Sequence, residues 1–455
     1  MTKHICEKCE REFAQKGHLD AHNKRKRPCK KKPEGTKVES MPVAAPATHV
    51  ISQKDYSKKT REELIAICKE QNIKGYSGKK KEEILSIVQS PQPNVPVQPN
   101  ESSDVENKKN RGQFYTTNSS YILEGFSPPP HDIRCIIEPF AGKGDLLDWV
   151  KKTGCSAEIE AYDIEPKGEG IKQRDTLTNP PDYTNAWIIT NPPYLARNKS
   201  EKKEIYNLYN TNDLYKCFIT SVVKQNNCRG GIFIIPAGFF FSPRDIDVKC
   251  RDAFMKKYKI TKVKYFEESV FDDTTTTIVA FSFERVDTDL TEQQVEWVLL
   301  PSNVQQIFSM YSSSDWIIGG DIYNLSVPET INVRRHVEGQ PLRDNEQQLY
   351  ITLNALDSGT MDGRISLTYK KDYIYPAKEC SRTYATFRIT GTTLHETEQI
   401  QLCREFNEFI EQKRTDTWSL FLPQFRESKE YARKRIPFEL AYRIFLHLIY
   451  RQLTS

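Results

Sequence analysis

The sequence lacks long apolar runs. No stretch reaches the roughly 20 consecutive apolar residues that a membrane span needs, and no apolar signal segment stands near Met1. Eleven cysteines are present, but not in the even spacing of a secreted disulfide scaffold. These absences predict an intracellular protein without a membrane partner, its cysteines buried, free or bound to metal. Hydrophobic residues make up only 37% of the chain and charged residues 28%, which predicts a globular core carrying tethered, solvated segments. There is no internal repeat. The positive excess is small, +5 over 455 residues, but uneven. Between Lys24 and Lys32 nearly every residue is Lys or Arg, and a second basic stretch runs from Lys79 to Lys81. Such clusters suit a phosphate-rich partner, the alternative being a solvated tail.

A length of 455 residues predicts about two to four folded units, and composition marks their bounds. Residues 1–32 are basic and rich in Cys and His; 33–53 form a linker of Pro, Ala and Val; 54–90 carry two helical patterns. A second linker, 91–110, is rich in Pro, Asn, Gln and Ser and is expected to be disordered. Over 111–285, apolar strand-like runs alternate with amphipathic stretches, the pattern of a mostly parallel α/β sheet; 286–455 are mixed.

The first region reads C-x2-C-x12-H-x6-C through Cys6, Cys9, His22 and Cys29. Two thiolates on a tight turn and an imidazole on a following helix can close a tetrahedron around Zn2+. So short a segment cannot bury a core, so the metal would supply the folding energy, with Phe13 and Leu19 as mini-core. The segment resembles the two-cysteine, two-histidine zinc finger, departing from it in the late fourth ligand, Cys29. His18 is the alternative; Cys29 is preferred because His22 then keeps the family spacing. One finger leaves its partner open among DNA, RNA and protein.

In the third region Thr60 is placed to cap a helix with Glu63 as its capping-box partner. Leu64, Ile67 and Cys68 follow as an apolar stripe, and after the Gly75–Gly78 turn a second helix carries Ile84, Leu85 and Val88. This pattern resembles the SAP motif, a small DNA-binding helical hairpin, and the resemblance implies that Lys79, Lys80 and Lys81 touch DNA. A hairpin that only spaces domains is the alternative.

The decisive feature is Asn191-Pro192-Pro193-Tyr194, which follows the apolar run Trp187–Thr190. In open α/β sheets ligands bind at the carboxyl ends of strands, where this motif stands. An exocyclic amine is a poor nucleophile because its lone pair is conjugated into the ring. Two acceptors aimed at its hydrogens, the Asn191 side-chain oxygen and the Pro192 carbonyl, draw the nitrogen toward tetrahedral geometry. The two prolines lack amide hydrogens and fix φ, so the turn is stiff, and Tyr194 offers a face on which a base could stack. A second Asn-Pro-Pro, at Asn179–Pro181, has no apolar run leading into it and reads as a loop.

Upstream, the run Ile136–Glu138 ends in a turn containing Gly142 and Gly144 before the amphipathic stretch "DLLDWVKK". Glycine lets backbone approach a nucleotide-like ligand, although the spacing is not the dinucleotide fingerprint. Asp163 ends a second run, where an acid can hold both hydroxyls of a ribose, and Asp175 ends a third. As a set these positions resemble the amino-methyltransferases of the class I fold, and their order resembles the gamma class of DNA adenine methyltransferases. The resemblance covers about residues 111–285. It implies a Rossmann-like sheet with helices on both faces and S-adenosyl-L-methionine as cofactor. It further implies that Tyr115, Thr116 and Thr117 line the methionine end with Glu138 and Gly142, Asp163 takes the ribose and Asp175 the adenine. Phe271 is implied to pack on the extruded base opposite Tyr194. The enzyme would flip the adenine out of double-stranded DNA to reach it.

Residues 286–455 carry Trp297, Trp316, a terminal amphipathic helix around Phe438–Leu453 and, before it, the basic residues Arg433, Lys434 and Arg435. The resemblance implies a mixed target-recognition domain here, with those three on DNA. Three other readings carry the same motif or fold: an RNA adenine methyltransferase, a glutamine methyltransferase acting on protein, and a non-catalytic DNA-binding scaffold. The two appended N-terminal modules favour nucleic acid. They also suggest a eukaryotic or large-DNA-virus source, with the protein in the nucleus or cytoplasm, rather than an ordinary restriction-modification enzyme.

Overall fold

The chain divides into two compact units, Met1–Val97 and Gln98–Ser455. The computed structural model describes, in the second unit, Thr116 and residues 118–454 apart from 272–275, 358–363, 375, 377–381 and 426–432. In the first unit it describes His4, Ile5, Glu12, Phe13, Lys59, Thr60, Glu63, Leu64, Ile67, Lys81, Glu82, Leu85 and Val88.

In the first unit, β1 (His4–Ile5) pairs antiparallel with β2 (Glu12–Phe13). The expected zinc ligands Cys6, Cys9, His22 and Cys29 lie outside the described residues, as do Lys79 and Lys80. Among the described residues no group of three or more possible metal ligands occurs. The expected cap is present in both directions. The Thr60 amide donates to the Glu63 carboxylate at 2.8 Å, and the Glu63 amide donates to Thr60 Oγ1 at 3.2 Å. Leu64, one turn in, is fully buried, and Val88 on the second helical stretch is buried too. Lys81 is the first described helical residue of that stretch.

The second unit is built on a nine-stranded mixed sheet of β3 (Cys135–Glu138), β4 (Glu158–Asp163), β5 (Lys172–Gln173), β6 (Trp187–Thr190), β7 (Gly230–Pro236), β8 (Tyr258–Phe266), β9 (Ile278–Arg285), β10 (Glu292–Leu300) and β11 (Val304–Tyr311). Their order across the sheet is β11-β10-β8-β9-β7-β6-β3-β4-β5. Strands β3 to β7 run parallel, β9 is antiparallel to both neighbours, β10 is parallel to β8, and β11 turns back on β10. The central strands are apolar on both faces: all four residues of β6 are buried, as are Ile232 to Ile235 of β7. That continuous pattern is what a sheet covered on both sides requires.

Helices connect the parallel strands: α1 (Ser119–Leu123) leads into β3, α2 (Asp145–Lys152) joins β3 to β4, and α3 (Glu204–Tyr209) and α4 (Leu214–Gln225) join β6 to β7. α5 (Gly238–Phe241) and α6 (Asp245–Lys257) follow β7. From β3 the chain steps to β4 on one side, and from β6 it steps to β7 on the other. Right-handed crossovers in opposite directions put α2 and α4 on opposite faces. A crevice opens at the carboxyl ends of β3 and β6, where the order reverses. On the β7 side the sheet is held by an aromatic cluster: Phe233 lies against Phe283, Phe281 and Phe254 with ring centroids 4.5, 5.7 and 6.0 Å away.

The segment 111–285 supplies β3 to β9, and the sheet continues past Arg285 into β10 and β11. Trp297 and Trp316, at the start of the mixed region in sequence, belong to the core of this sheet. A separate core lies under a four-stranded antiparallel sheet in the order β12 (Asn332–His336), β16 (Tyr384–Thr390), β13 (Glu346–Asn354), β15 (Ser366–Tyr369). α7 (Glu396–Thr417) packs on β15 and β13, and α8 (Phe438–Thr454), the expected terminal amphipathic helix, packs on α7 and β12. A small sheet joins β14 (Leu356–Asp357), β18 (Arg433–Arg435) and β17 (Gln424–Phe425). Among the described residues no helix is long and apolar enough to cross a membrane.

Candidate active site

The strand ends assemble one cavity of about 620 Å3, within the range of small-molecule sites. Of the residues expected at a cofactor or at the reacting group, Thr116, Glu138, Gly142, Asp163, Asp175, Asn191 and Pro193 all line it. They come from five separate stretches of the chain, four of which are brought together because β3, β4, β5 and β6 are neighbours.

Each is fixed by local chemistry. Gly142 has φ +53°, a left-handed conformation that favours glycine. Its amide donates to Asp163 Oδ2 at 2.8 Å, while the Glu165 amide donates to Asp163 Oδ1 at 2.8 Å. Thus the β3 turn and the β4 turn are stitched together through one carboxylate. Gly144, at φ +88°, starts α2 and does not line the cavity. Asp175 Oδ1 accepts from the Leu177 amide at 3.1 Å, and Thr176 Oγ1 donates to the Pro139 carbonyl at 2.8 Å, tying the third turn to the first.

Glu138, the last residue of β3, is 2% exposed, and its Oε2 has no hydrogen-bond partner. Burial, with Asp145, Asp163 and Asp148 nearby, holds its carboxyl well above the usual carboxylate range. Burial also raises Asp163 and Asp145. An unsatisfied buried group of this kind costs about 1–3 kcal/mol in a protein that gains nothing else from it.

Asn191 directly follows β6 and is 9% exposed. Its Nδ2 donates to Thr116 Oγ1 at 3.1 Å, and its Oδ1 accepts from the Tyr194 hydroxyl, which also lies 2.7 Å from the Ile234 carbonyl oxygen. Burial and the nearby Asp213 push the Tyr194 phenol well above its ordinary value, so it stays protonated and donates. The carboxamide is therefore held on both sides.

The expected aromatics sit differently. Tyr194 is 8% exposed, its ring 6.3 Å from that of Tyr215, and neither it nor Pro192 nor Phe271 lines the cavity. Phe271 is buried in the sheet core, beside residues 272–275, which are not described. Tyr115 and Thr117 also lie outside the described residues. Sequence reasoning missed Phe140, Asp145, Ile164, residues 199–202, Glu204 and Ile205, all of which contribute to the lining. Ile164 had a signal: an apolar residue directly after the strand-ending acid, left 46% exposed at the rim.

One expected DNA contact needs correction. Lys434 is 13% exposed; its ammonium donates to the Trp418 carbonyl and lies 3.8 Å from Glu267. Burial lowers its pKa. It is an internal tether, because β18 is the middle strand of its small sheet and a central strand turns alternate side chains inward. Arg433 and Arg435 on either side are half-buried.

Residues 186–271, from the start of β6 to Phe271, match the family model of the Eco57I restriction-modification methylase. None of the curated proteins compared matches the chain. Three solved structures are loosely similar. A protein described as the modification subunit of a type I restriction enzyme from Vibrio vulnificus YJ016 is 14% identical with a TM-score of 0.34, over 49% of this chain and 56% of that one. The type IIG restriction endonuclease BpuSI is 16% identical with a TM-score of 0.33, over 58% of this chain and 39% of that one. A protein described as a class I S-adenosylmethionine-dependent methyltransferase from Listeria monocytogenes is 14% identical with a TM-score of 0.31, over 53% of this chain and 86% of that one. The chain thus spans about half the length of the first of these, and similarity so distant bears on neither substrate nor partner. The family match falls on the strand and turn that carry Asn191 and Tyr194.

Proposed function

We propose that the protein is an S-adenosylmethionine-dependent DNA adenine methyltransferase that modifies the exocyclic amino group of an extruded adenine. The observation that carries the reading is the Asn191 carboxamide, held between Thr116 and Tyr194 at the edge of an acid-lined cavity. The match of residues 186–271 to a restriction-modification methylase model supports it.

The residues present fit this cofactor. An orphaned carboxyl, Glu138, suits the cationic methionine end, and the positive φ of Gly142 lets backbone approach. Asp163 is available for ribose hydroxyls, and Asp175 for an adenine amino group. When bound, S-adenosylmethionine supplies an electrophilic methyl group on a sulfonium, so the protein's work is positioning. Asn191 Oδ1 and the Pro192 carbonyl would accept from the two amine hydrogens and free the nitrogen lone pair. Tyr194, through its hydroxyl, orients the carboxamide; this is a positioning role distinct from the stacking face expected of it.

Asn191→Ala is expected to reduce methyl transfer at least about a hundredfold while leaving cofactor binding largely intact. Retained methylation in that variant would sink the site. Incubation with labelled cofactor and duplex DNA, RNA or protein, followed by nucleoside analysis, distinguishes the substrates; N6-methyladenine in DNA is the expected product. The N-terminal readings are proposals of the same kind. The β1–β2 pair brackets Cys6 and Cys9, and the Thr60–Glu63 cap starts a helix where the SAP-like pattern has one. Zinc content of the full chain with Cys29 or His18 replaced tests the first.

A further inference from the structure

A second cavity, of about 1180 Å3, lies on the other side of the Asn191–Arg197 segment. The wall between the two is thin. Leu195 and Leu214 face the first cavity, whereas Ala196, Asp213 and Tyr215 face the second. That wall is an isolated bridge between Ala196 and Asp213, with the Leu214 amide donating to the Leu195 carbonyl at 3.2 Å and the Arg197 amide to the Asn212 carbonyl at 2.9 Å. Pro423 and Pro437, which flank the small β17–β18 pair, close the far side.

Three features single this cavity out. Its volume exceeds the usual range for a small ligand. Four cations line it against one carboxylate, Asp213. Lys216 and Arg244 both reach the buried Asp247, so their charge is largely answered. Among the described residues, by contrast, the Arg197 side chain reaches only the Asn207 carboxamide, at 2.7 Å, and Lys203 makes no ion pair. Both are exposed. Finally, two of the lining residues carry a buried polar atom with no hydrogen-bond partner: Oγ1 of Thr277, a residue 6% exposed, and Oδ1 of Asp213.

The geometry points to this second cavity as the site for the nucleotide adjoining the acceptor base on the same DNA strand, with Arg197 and Lys203 on its phosphates and Thr277 and Asp213 on its base. The inference rests on the methyl-transfer reading above and adds to it a flanking-base subsite. A strand crossing the thin wall would leave its reacting base beside Asn191 and the next nucleotide over the cations. Phosphates there answer the unpaired charges. A base edge satisfies a hydroxyl, which can donate or accept, and a carboxylate, which accepts from amino groups such as that of cytosine.

The test uses the full chain and a fluorescein-labelled single-stranded DNA 12-mer, read by anisotropy across salt concentrations, with S-adenosylmethionine binding read separately by calorimetry. Arg197→Ala with Lys203→Ala is expected to weaken oligonucleotide binding roughly tenfold and to lower the slope of log affinity against log salt by about 1.4, at about 0.7 per phosphate contact on a single strand. Arg197→Lys with Lys203→Arg should restore the slope. Thr277→Val should weaken oligonucleotide binding without lowering the melting temperature, since it removes an unpartnered hydroxyl at constant shape. Unchanged affinity and slope in the double variant overturn the proposal, as does a Thr277→Val protein that melts earlier yet binds the oligonucleotide normally. Loss of S-adenosylmethionine binding by the unmodified protein would instead strike the methyl-transfer reading, leaving the oligonucleotide result to judge the cavity by itself.

Discussion

Glu138→Gln tests the cofactor reading through a proton. Glu138 is sealed at the end of β3 with Oε2 unpartnered, and burial together with three acidic neighbours keeps its carboxyl protonated well above the usual range. A cation placed against it reverses that preference, because the ionised form then gains an opposite charge at short range. Cofactor binding near neutral pH should therefore release a proton. Affinity should climb with pH, up to about tenfold per unit, across the window between the bound-state and free-state values. Glu138→Gln removes the titrating group and the charge together. A charge-assisted contact contributes about 1.5–3 kcal/mol, so the variant should bind roughly 10- to 150-fold more weakly, with no pH dependence from this residue. Isothermal calorimetry in two buffers of different ionisation enthalpy counts the protons. S-adenosylhomocysteine keeps the ammonium and should suffer a similar loss if the ammonium is what Glu138 reads. The stability sign runs the other way. A carboxyl whose folded value is raised stabilises the fold at low pH, and that contribution is lost as pH climbs through the folded value. Cofactor-free Glu138→Gln should thus equal or exceed the unmodified protein in stability at neutral pH. A wild-type protein that releases no proton, paired with a variant that binds equally well, would refute the reasoning.

Asp213 offers a second titration: burial pushes its carboxyl from 3.8 to about 6. Protonation favours the fold, so stability should fall as pH rises from about 4 through about 6, by at most about 3 kcal/mol. Urea unfolding of Asp213→Asn should show that slope flattened and higher stability at pH 7.5. Gly231 lies opposite Ile188 in the β6–β7 pair, and a Cβ on it would meet the Ile188 carbonyl oxygen at 2.0 Å. Gly231→Ala should cost more than about 4 kcal/mol and leave little soluble, cooperatively folding protein; a normal thermal transition would contradict the packing of these strands.

What the sequence made legible is local. The positions Glu138, Asp163 and Asn191 stand out because an apolar run stops at or just before a polar residue, and all three line the first cavity, as does Asp175, which follows the short polar strand β5. The reciprocal Thr60–Glu63 cap and α8 are likewise written in short-range patterns. The loop reading of Asn179–Pro181 also holds: Arg174 donates to the Asn179 and Pro180 carbonyls there. What stayed hidden depends on distant partners. The residues of β10 alternate as any half-buried strand does, but nothing local says that they extend the first sheet alongside β8 rather than open a new one. Lys434 reads as one of three surface cations until β14 and β17 flank it and turn it toward Trp418. The orphaned oxygens of Glu138, Asp213 and Thr277 are invisible in sequence, because being unpartnered belongs to everything packed around an atom.

That last class of feature links the two cavities. Buried polar atoms are nearly always hydrogen-bonded, and each exception calls for a cause. Here Glu138 lines one cavity, Thr277 and Asp213 line the other, and the turn that holds Asn191 separates them. On the proposed reading each would find its partner when a ligand arrives, and the cost of leaving them bare in the free protein would become binding energy in the occupied one. The carboxamide between them needs no such partner to hold its orientation, because Thr116 and Tyr194 already fix it. The site is thus rigid where a reaction would need aim and unsatisfied where it would need grip.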